Sequence, residues 1–214
     1  MTALPANALC PLPRLATRVV RPWLPSALVL LGLAGIVGAR WLATTRGLDG
    51  LAVGAAFGVG LVALWLFVNR GGPTGRGGRT VWVGAAAGVS IGLGLVALTV
   101  IGAFLGGAPL VTGLSRPAAA FLPWALITIV VAAGEEGILR GALFDRLRAA
   151  GGVLPAVLVT TVVFAIMHVP LYGWHVVPLD LAVGLCLAGL RLATRTIIAP
   201  VAAHAVADLA TWWL

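Results

Sequence analysis

The length of its apolar runs constrains the fold of this chain more than any other feature. Hydrophobic residues make up 61% of its 214 residues, and charged residues only 9%. A helix of about 20 apolar residues, within a range of roughly 17 to 25, crosses the hydrocarbon core of a bilayer. Seven stretches meet or approach this length: residues 23–43, 50–68, 81–104, 118–139, 153–171, 176–190 and 197–214. The sequence therefore predicts an all-α fold, a polytopic membrane helical bundle of about seven transmembrane helices.

The positive charge of the chain comes from arginine alone and is concentrated in the breaks between apolar runs. Such clustering is typical of cytoplasmic membrane loops and argues against a nucleic-acid partner. With the N-terminus in the cytoplasm, ten arginines fall inside: Arg14, Arg18, Arg21, Arg70, Arg76, Arg79, Arg146, Arg148, Arg191 and Arg195. Three fall outside, Arg40, Arg46 and Arg116, and Arg140 lies near the membrane boundary. We therefore expect a multi-pass cell-membrane protein with a cytoplasmic N-terminus.

The chain divides at a Gly- and Pro-containing stretch of residues 69–80, which we expect to be an irregular cytoplasmic linker. It closes an N-terminal two-span region, residues 1–80. A third span and its loop follow at 81–117, and residues 118–214 carry the polar motifs. The two cysteines, Cys10 and Cys186, are too few for a disulfide framework, and we expect both to be unpaired.

Ionisable side chains inside the predicted spans are the candidates for function, since such groups are costly in a membrane unless paired or hydrated. They are Glu135, Glu136, Arg140, His168, Asp180, His204 and Asp208. Glu135 and Glu136 are the only two glutamates in the chain. Arg140 lies four residues after Glu136, so the two share a helix face and predict an ion pair. Glu135 points about 100° away from that face and is left for another partner.

A helical hairpin is predicted to bring Glu135 level with His168. After Arg140 the sequence continues as an amphipathic helix and turns at Gly151 and Gly152. Glu135 lies 16 residues before Gly151, and His168 lies 16 residues after Gly152. Each is therefore about 24 Å from the turn. The hairpin thus predicts a carboxylate facing an imidazole, with Phe164 packing one turn before His168.

His204 and Asp208 show the same one-turn spacing in the last predicted span. An aspartate four residues on accepts a hydrogen bond from a histidine ring and fixes its orientation. A glutamate and a histidine can deprotonate water while a further histidine stabilises an oxyanion, which suffices for amide hydrolysis. The same atoms of Glu135, His168 and His204 could instead hold a divalent metal such as zinc. The spacing leaves both alternatives open.

Three motifs together resemble those of a known family. E-E-x-x-x-R is present as Glu135, Glu136 and Arg140, F-x-x-x-H as Phe164 and His168, and H-x-x-x-(N/D) as His204 and Asp208. This set is similar to that of the CAAX protease and bacteriocin-processing family of intramembrane proteases, which includes the type II prenyl endopeptidases. The resemblance covers residues 118–214, which it identifies as the catalytic core.

The resemblance implies an intramembrane endopeptidase that acts on a membrane-anchored or lipidated peptide. By analogy Glu135 is the water-activating base and His168 its partner. His204 and Asp208 form the oxyanion side, while Glu136, Arg140 and Phe164 support the site. Two positions depart from the family pattern: Leu139 replaces the usual aromatic residue, and Asp208 stands where the prenyl endopeptidases have asparagine.

Other functions compete with hydrolysis. A non-catalytic peptide-binding or bacteriocin-immunity protein would use the same polar cavity, and paired intramembrane acids and histidines also suit a proton or ion transporter. A G-x-S-x-G match at Gly88, Ser90 and Gly92 lies inside a span, so we interpret it as a packing face rather than a serine nucleophile. For the endopeptidase we expect the cavity to open toward the cytoplasmic side.

Overall fold

The computed structural model describes residues 24–69, 78–106 and 120–214, which form eight α-helices and two short segments of other helix types. The α-helices are α1 (Leu24–Thr45), α2 (Gly50–Val68), α3 (Gly78–Gly106), α4 (Phe121–Glu136), α5 (Phe144–Gly151), α6 (Val153–Tyr172), α7 (Val177–Thr194) and α8 (Ile198–Ala210). A π-helical segment, Gly137–Leu143, joins α4 to α5, and a 3₁₀ turn, Trp174–Val176, precedes α7. No strand occurs in these three ranges, and the predicted all-α membrane bundle is confirmed.

Six of the seven predicted spans correspond to helices long and apolar enough to cross a membrane. The fourth runs on without a break through the π segment and α5, so that it covers 31 residues. The seventh, predicted at 197–214, is only the 13-residue helix α8. At 1.5 Å per residue α8 is about 20 Å long, less than the roughly 30 Å of a bilayer core.

Some sequence predictions fall partly or wholly outside the described residues. Cys10, the N-terminal arginines and Arg116 lie there, as do residues 70–77 of the predicted linker. The linker prediction was wrong at its end, because α3 begins at Gly78 and residues 78–80 are helical. The division of the chain at residues 80 and 117 stays a prediction.

Close glycine contacts fix the direction of the helices. On α2, Gly54 faces Ile127 of α4 and Gly58 faces Val130, so these two helices run parallel. On α3, Gly84 faces Thr196 and Gly92 faces Val206, so α3 likewise runs parallel to α8. Glycines four residues apart, at 54 and 58 and at 84 and 88, thus pack against neighbouring helices, whereas Gly102 and Gly106 face open space.

This register gives the bundle two distinct ends. At one end α5 meets α6 and α7 meets α8, and its arginines are Arg146, Arg148, Arg191 and Arg195. We call it the basic end. At the other end Phe121 and Trp124 at the start of α4 pack against Trp212 and Trp213, with ring centroids 4.9–5.3 Å apart. We call this second end, where α6 stops and α7 starts, the aromatic end; clusters of this kind commonly sit at a membrane interface.

The interior of the bundle lies around the π segment, every residue of which is buried. Leu61 of α2, Phe164 of α6 and Leu187 of α7 pack in this core. Large apolar side chains such as Leu31 and Phe104 are exposed on the outside of the bundle. An apolar exterior is what a lipid-facing surface requires.

Candidate active site

The π-helical segment shapes the helix that carries the two glutamates. Gly137 lies directly against the indole of Trp65 on α2, and a Cβ there would come within 2.7 Å of the ring. The wider turn also redirects backbone groups, and the Arg140 carbonyl accepts a 2.8 Å hydrogen bond from Nε of Arg191. Single-turn π segments often mark functional sites. The regular α-helix predicted through this region was wrong, and the one hint in the sequence was the pair of glycines, Gly137 and Gly141.

Arg140 is completely buried, and both of its terminal nitrogens donate hydrogen bonds, whereas its Nε has no hydrogen-bond partner among the described residues. Its Nη1 donates to Oε1 of Glu136 at 2.8 Å, which is the ion pair predicted from their spacing. Its Nη2 donates to the Gly184 carbonyl of α7 at 3.0 Å, and the guanidinium lies 4.8 Å from the Phe164 ring centroid. A buried charge must have such partners to be tolerated. Arg140 therefore ties α4, α6 and α7 together beneath the site.

His204 of α8 lies between three carboxylates, those of Glu135, Glu136 and Asp208. Its Nδ1 lies 3.1 Å from Oε1 of Glu136. On the other side of the ring, Nε2 lies 3.7 Å from Oε2 of Glu135 and 3.4 Å from Oδ2 of Asp208. The structure thus contains the predicted one-turn pair of His204 and Asp208. It also reveals a contact that the sequence did not predict, between His204 and Glu136.

His168 belongs to the same cluster, and its ring contacts the Phe164 carbonyl and Asp180. Its Nδ1 lies 2.8 Å from the Phe164 carbonyl and 3.6 Å from Oδ2 of Asp180 on α7. In the described ranges His168 forms its ion pair with Asp180 and not with Glu135. That the side chains of Glu135 and His168 face one another across the hairpin stays a prediction.

Phe164 explains why the two histidines do not meet. Its ring centroid lies 4.8 Å from that of His168 and 5.3 Å from that of His204, with edge-to-face geometry in both cases. The phenyl ring therefore separates the imidazoles and fixes the orientation of each. The sequence predicted Phe164 as packing support for His168, and its contact with His204 is an addition.

The cluster is buried on one side and reaches the surface on the other. Glu135 is 2% exposed and Glu136 is fully buried. The side chains of His168 and Asp180 are each 16% exposed, and that of Asp208 is 40% exposed. His168 and Asp180 lie within about a turn of the end of α6 and the start of α7, at the aromatic end. The polar cluster therefore opens toward the aromatic end of the bundle.

The N-terminal helices support the two helices that bear the cluster. A Cβ at Gly134, beside Glu135, would come within 2.7 Å of Leu61 on α2. A Cβ at Gly88 of α3 would overlap the Ala199 carbonyl of α8, and one at Gly92 would come within 2.7 Å of the Ala203 carbonyl beside His204. The G-x-S-x-G match is therefore a packing face, as interpreted from its position inside a span. α2 fixes the glutamates and α3 fixes His204.

The candidate metal ligands do not converge on a single point. In the part of the chain that the structure describes, no group of three or more His, Cys, Asp or Glu side chains is arranged to hold a metal ion. Of the three candidates, His204 contacts Glu135, whereas His168 is turned toward Asp180. This arrangement does not fit a three-ligand site of the kind that catalytic zinc occupies.

Comparison with known proteins agrees with the motifs. Residues 117–210 match a family model described as type II CAAX prenyl endopeptidase Rce1-like. No curated protein and no solved structure matches the chain. The matched region contains α4 to α8 and every residue of the cluster from Glu135 to Asp208. Residues 117–210 of this membrane protein thus match the Rce1-like model of type II CAAX prenyl endopeptidases, in agreement with the family that the three motifs resemble.

Proposed function

We propose that the chain is an intramembrane endopeptidase that hydrolyses a peptide bond in a membrane-anchored or lipidated peptide. One observation carries this proposal: the two adjacent glutamates have different partners. Glu136 is neutralised by Arg140 at 2.8 Å, whereas the only ion-pair partner of Glu135 in the described ranges is the imidazole of His204 at 3.7 Å. A carboxylate buried without a guanidinium is costly as a structural element, and it suits a general base.

In the proposed reaction Glu135 and His168 hold a water molecule, and Glu135 takes one of its protons. The water oxygen forms a bond to the carbonyl carbon of the substrate, and the carbonyl electron pair moves onto its oxygen. When the oxyanion collapses, the C–N bond breaks. The leaving nitrogen takes the proton from Glu135, so that the base is regenerated. The same proton moves from the water to Glu135 and then to the leaving nitrogen, and no covalent intermediate forms with the enzyme.

His204 is the proposed oxyanion stabiliser. Since its Nδ1 faces the Glu136 carboxylate at 3.1 Å, this nitrogen is the donor in that contact. In the imidazolium form Nε2 also carries a proton, which can be donated to the developing oxyanion. Asp208, 3.4 Å from Nε2, favours that charged form of the ring. An ionised aspartate beside a developing oxyanion would repel it, and the pairing of Asp208 with His204 offsets this repulsion.

Glu136, Arg140 and Phe164 are proposed to support the site rather than to react. Arg140 and Glu136 are fully buried, and Phe164 separates the two imidazoles. Held between Arg140 and His204, the Glu136 carboxylate fixes the ring of His204 in one orientation. Such preorganisation is what an electrostatic catalyst needs.

The orientation of the bundle determines which side of the membrane the site faces. Arg146, Arg148, Arg191 and Arg195 lie at the basic end, against Arg40 and Arg46 at the opposite end, so the positive-inside rule favours a cytoplasmic basic end. α1 starts at the basic end, in agreement with a cytoplasmic N-terminus. If the basic end is cytoplasmic, the cluster opens on the other side of the membrane, because it lies at the aromatic end. In place of the expected opening toward the cytoplasm, we propose that the site receives its substrate from the extracytoplasmic side of the cell membrane.

Cleavage of defined peptides tests the proposal. Purified protein is assayed on farnesylated and unmodified membrane-anchored peptides, with wild type compared to Glu135→Gln and His168→Ala, each with and without a chelator. Loss of cleavage in both variants supports the hydrolytic site, and sensitivity to the chelator would indicate a metal. Equal inertness of wild type and Glu135→Gln on every peptide would favour the non-catalytic peptide-binding alternative.

A further inference from the structure

Asp180 is a partly buried acid that the reaction outlined above does not use. It lies in the first turn of α7, and its Oδ2 is buried without a hydrogen-bond partner among the described residues. Nδ1 of His168 lies 3.6 Å from this oxygen. Buried carboxylate oxygens are normally satisfied, so an unpartnered one aimed at a histidine calls for a functional explanation.

The surroundings of His168 determine which ring nitrogen carries the proton. Nδ1 faces two acceptors, the Phe164 carbonyl at 2.8 Å and the Asp180 carboxylate at 3.6 Å. Neither of these groups is a donor when Asp180 is ionised, so Nδ1 must bear the hydrogen. In the neutral ring Nε2 is then the nitrogen with the lone pair, and it can accept a hydrogen bond from water.

We infer that Asp180 is a positioning residue: it keeps His168 in the tautomer that presents an unprotonated Nε2 to the water held with Glu135. This inference rests on the proposed hydrolytic function. Asp180 acts only through His168 and touches neither water nor substrate. Asp180 thus orients His168 through Nδ1, while the other ring nitrogen, Nε2, faces the water.

Among the groups around His168, Asp180 is the charged one that favours a proton on Nδ1. The ring is confined by Phe164, 4.8 Å away, and by Tyr172, stacked at 5.9 Å and 26°. These two aromatic rings restrict the plane of the imidazole but do not distinguish between its nitrogens. The Phe164 carbonyl and Asp180 do, and only Asp180 adds a negative charge that favours a proton on Nδ1.

A purely structural role for Asp180 makes a different prediction. An acid in the first turn of a helix stabilises the helix by interacting with its dipole. If that were the whole role of Asp180, its replacement would lower the melting temperature and leave the His168 tautomer unchanged. The ring state of His168 therefore separates the two explanations.

The test is nitrogen NMR of ¹⁵N-histidine-labelled protein in lipid nanodiscs, at a pH where His168 is neutral. The chain has three histidines, so His175→Gln and His168→Gln variants suffice to assign the signals. Wild type is expected to show His168 with a protonated Nδ1 and an unprotonated Nε2. Asp180→Asn, whose amide can donate to Nδ1 as well as accept, is expected to give a measurable share of the opposite tautomer. Asp180→Glu, which keeps the carboxylate, should restore the wild-type pattern.

Cleavage kinetics provide the second arm. Asp180→Asn should lower kcat by about 10- to 100-fold with little change in KM, the usual range for loss of an orienting partner. Asp145→Asn is the matched control, because Asp145 pairs with Arg191 at the basic end, far from the cluster. It should leave both kcat and the His168 signals unchanged.

The two arms fail independently. An Nε2–H tautomer in wild type, or identical His168 signals in wild type and Asp180→Asn, would overturn the role of Asp180 whatever the enzyme activity. If Asp180→Asn does not fold, the wild-type and Asp180→Glu spectra still decide the question. Absence of cleavage in wild type together with the expected tautomer change would count against the proposed hydrolysis and not against the contact.

Discussion

His204 reaches across from α8 to place its Nδ1 3.1 Å from Oε1 of Glu136, the same oxygen that accepts from Arg140 at 2.8 Å. One carboxylate oxygen thus links the buried arginine to the histidine proposed to stabilise the oxyanion. Because Glu136 is fully buried, its charge is balanced only by these two partners. The relationship makes Glu136 the structural centre of the site, and it separates its role from that of Glu135.

Glu136→Ala is expected to destabilise the protein strongly. The change leaves the Arg140 guanidinium buried without its carboxylate, and breaking a buried pair in this way costs about 3–5 kcal/mol. Glu135→Gln should have a much smaller effect on stability, because Glu135 has no guanidinium partner. The free energy of unfolding in detergent, measured by denaturant titration, checks the difference. Equal destabilisation by both changes would contradict the division of roles between the glutamates.

Gly88→Ala is expected to disturb the contact between α3 and α8. The added methyl group would overlap the Ala199 carbonyl, and overpacking of this kind costs roughly 1–3 kcal/mol. Gly94→Ala is the matched control on the same helix, since a Cβ there meets nothing within 4 Å. Thermal unfolding in detergent distinguishes them: Gly88→Ala should lower the Tm, while Gly94→Ala should leave it unchanged or raise it. The reverse order would contradict close packing of α3 on His204's helix.

The membrane orientation predicts opposite labelling of the two ends. In a variant with Cys10 and Cys186 replaced by serine, Leu48→Cys tests the loop after α1 and Ala149→Cys tests α5 at the basic end. Both positions are exposed. A membrane-impermeant thiol reagent added to intact cells should label the cysteine at 48, and should label that at 149 only after the membrane is opened. Labelling in the opposite order would move the site to the cytoplasmic side.

Much of the fold is predictable because membrane insertion depends on local properties. Runs of about 20 apolar residues predicted six of the helices. The i, i+4 spacing predicted the pairs Glu136–Arg140 and His204–Asp208. The last helix is shorter than predicted, because the apolar run continues beyond Ala210 as a turn rather than as helix.

The remaining features depend on contacts between distant segments. In the π segment Gly137 packs against Trp65 of α2. The sequence of residues 137–143 does not indicate that a tryptophan of another helix packs there. Counting residues along a regular hairpin therefore did not predict the contact of His168 with Asp180. Asp180, which lies within the span predicted at 176–190, carried no signal beyond being an acid in an apolar run.

The central claim is that Glu135 activates water, and the most direct measurement is the cleavage rate of a membrane-anchored peptide by Glu135→Gln. Glutamine keeps the shape of the side chain and removes its basicity, so general-base catalysis worth about 10²–10⁴-fold should be lost. Asp145→Asn should retain the wild-type rate, and unfolding curves of both variants should overlay that of wild type. A folded Glu135→Gln protein that cleaves the peptide as fast as wild type would contradict the account.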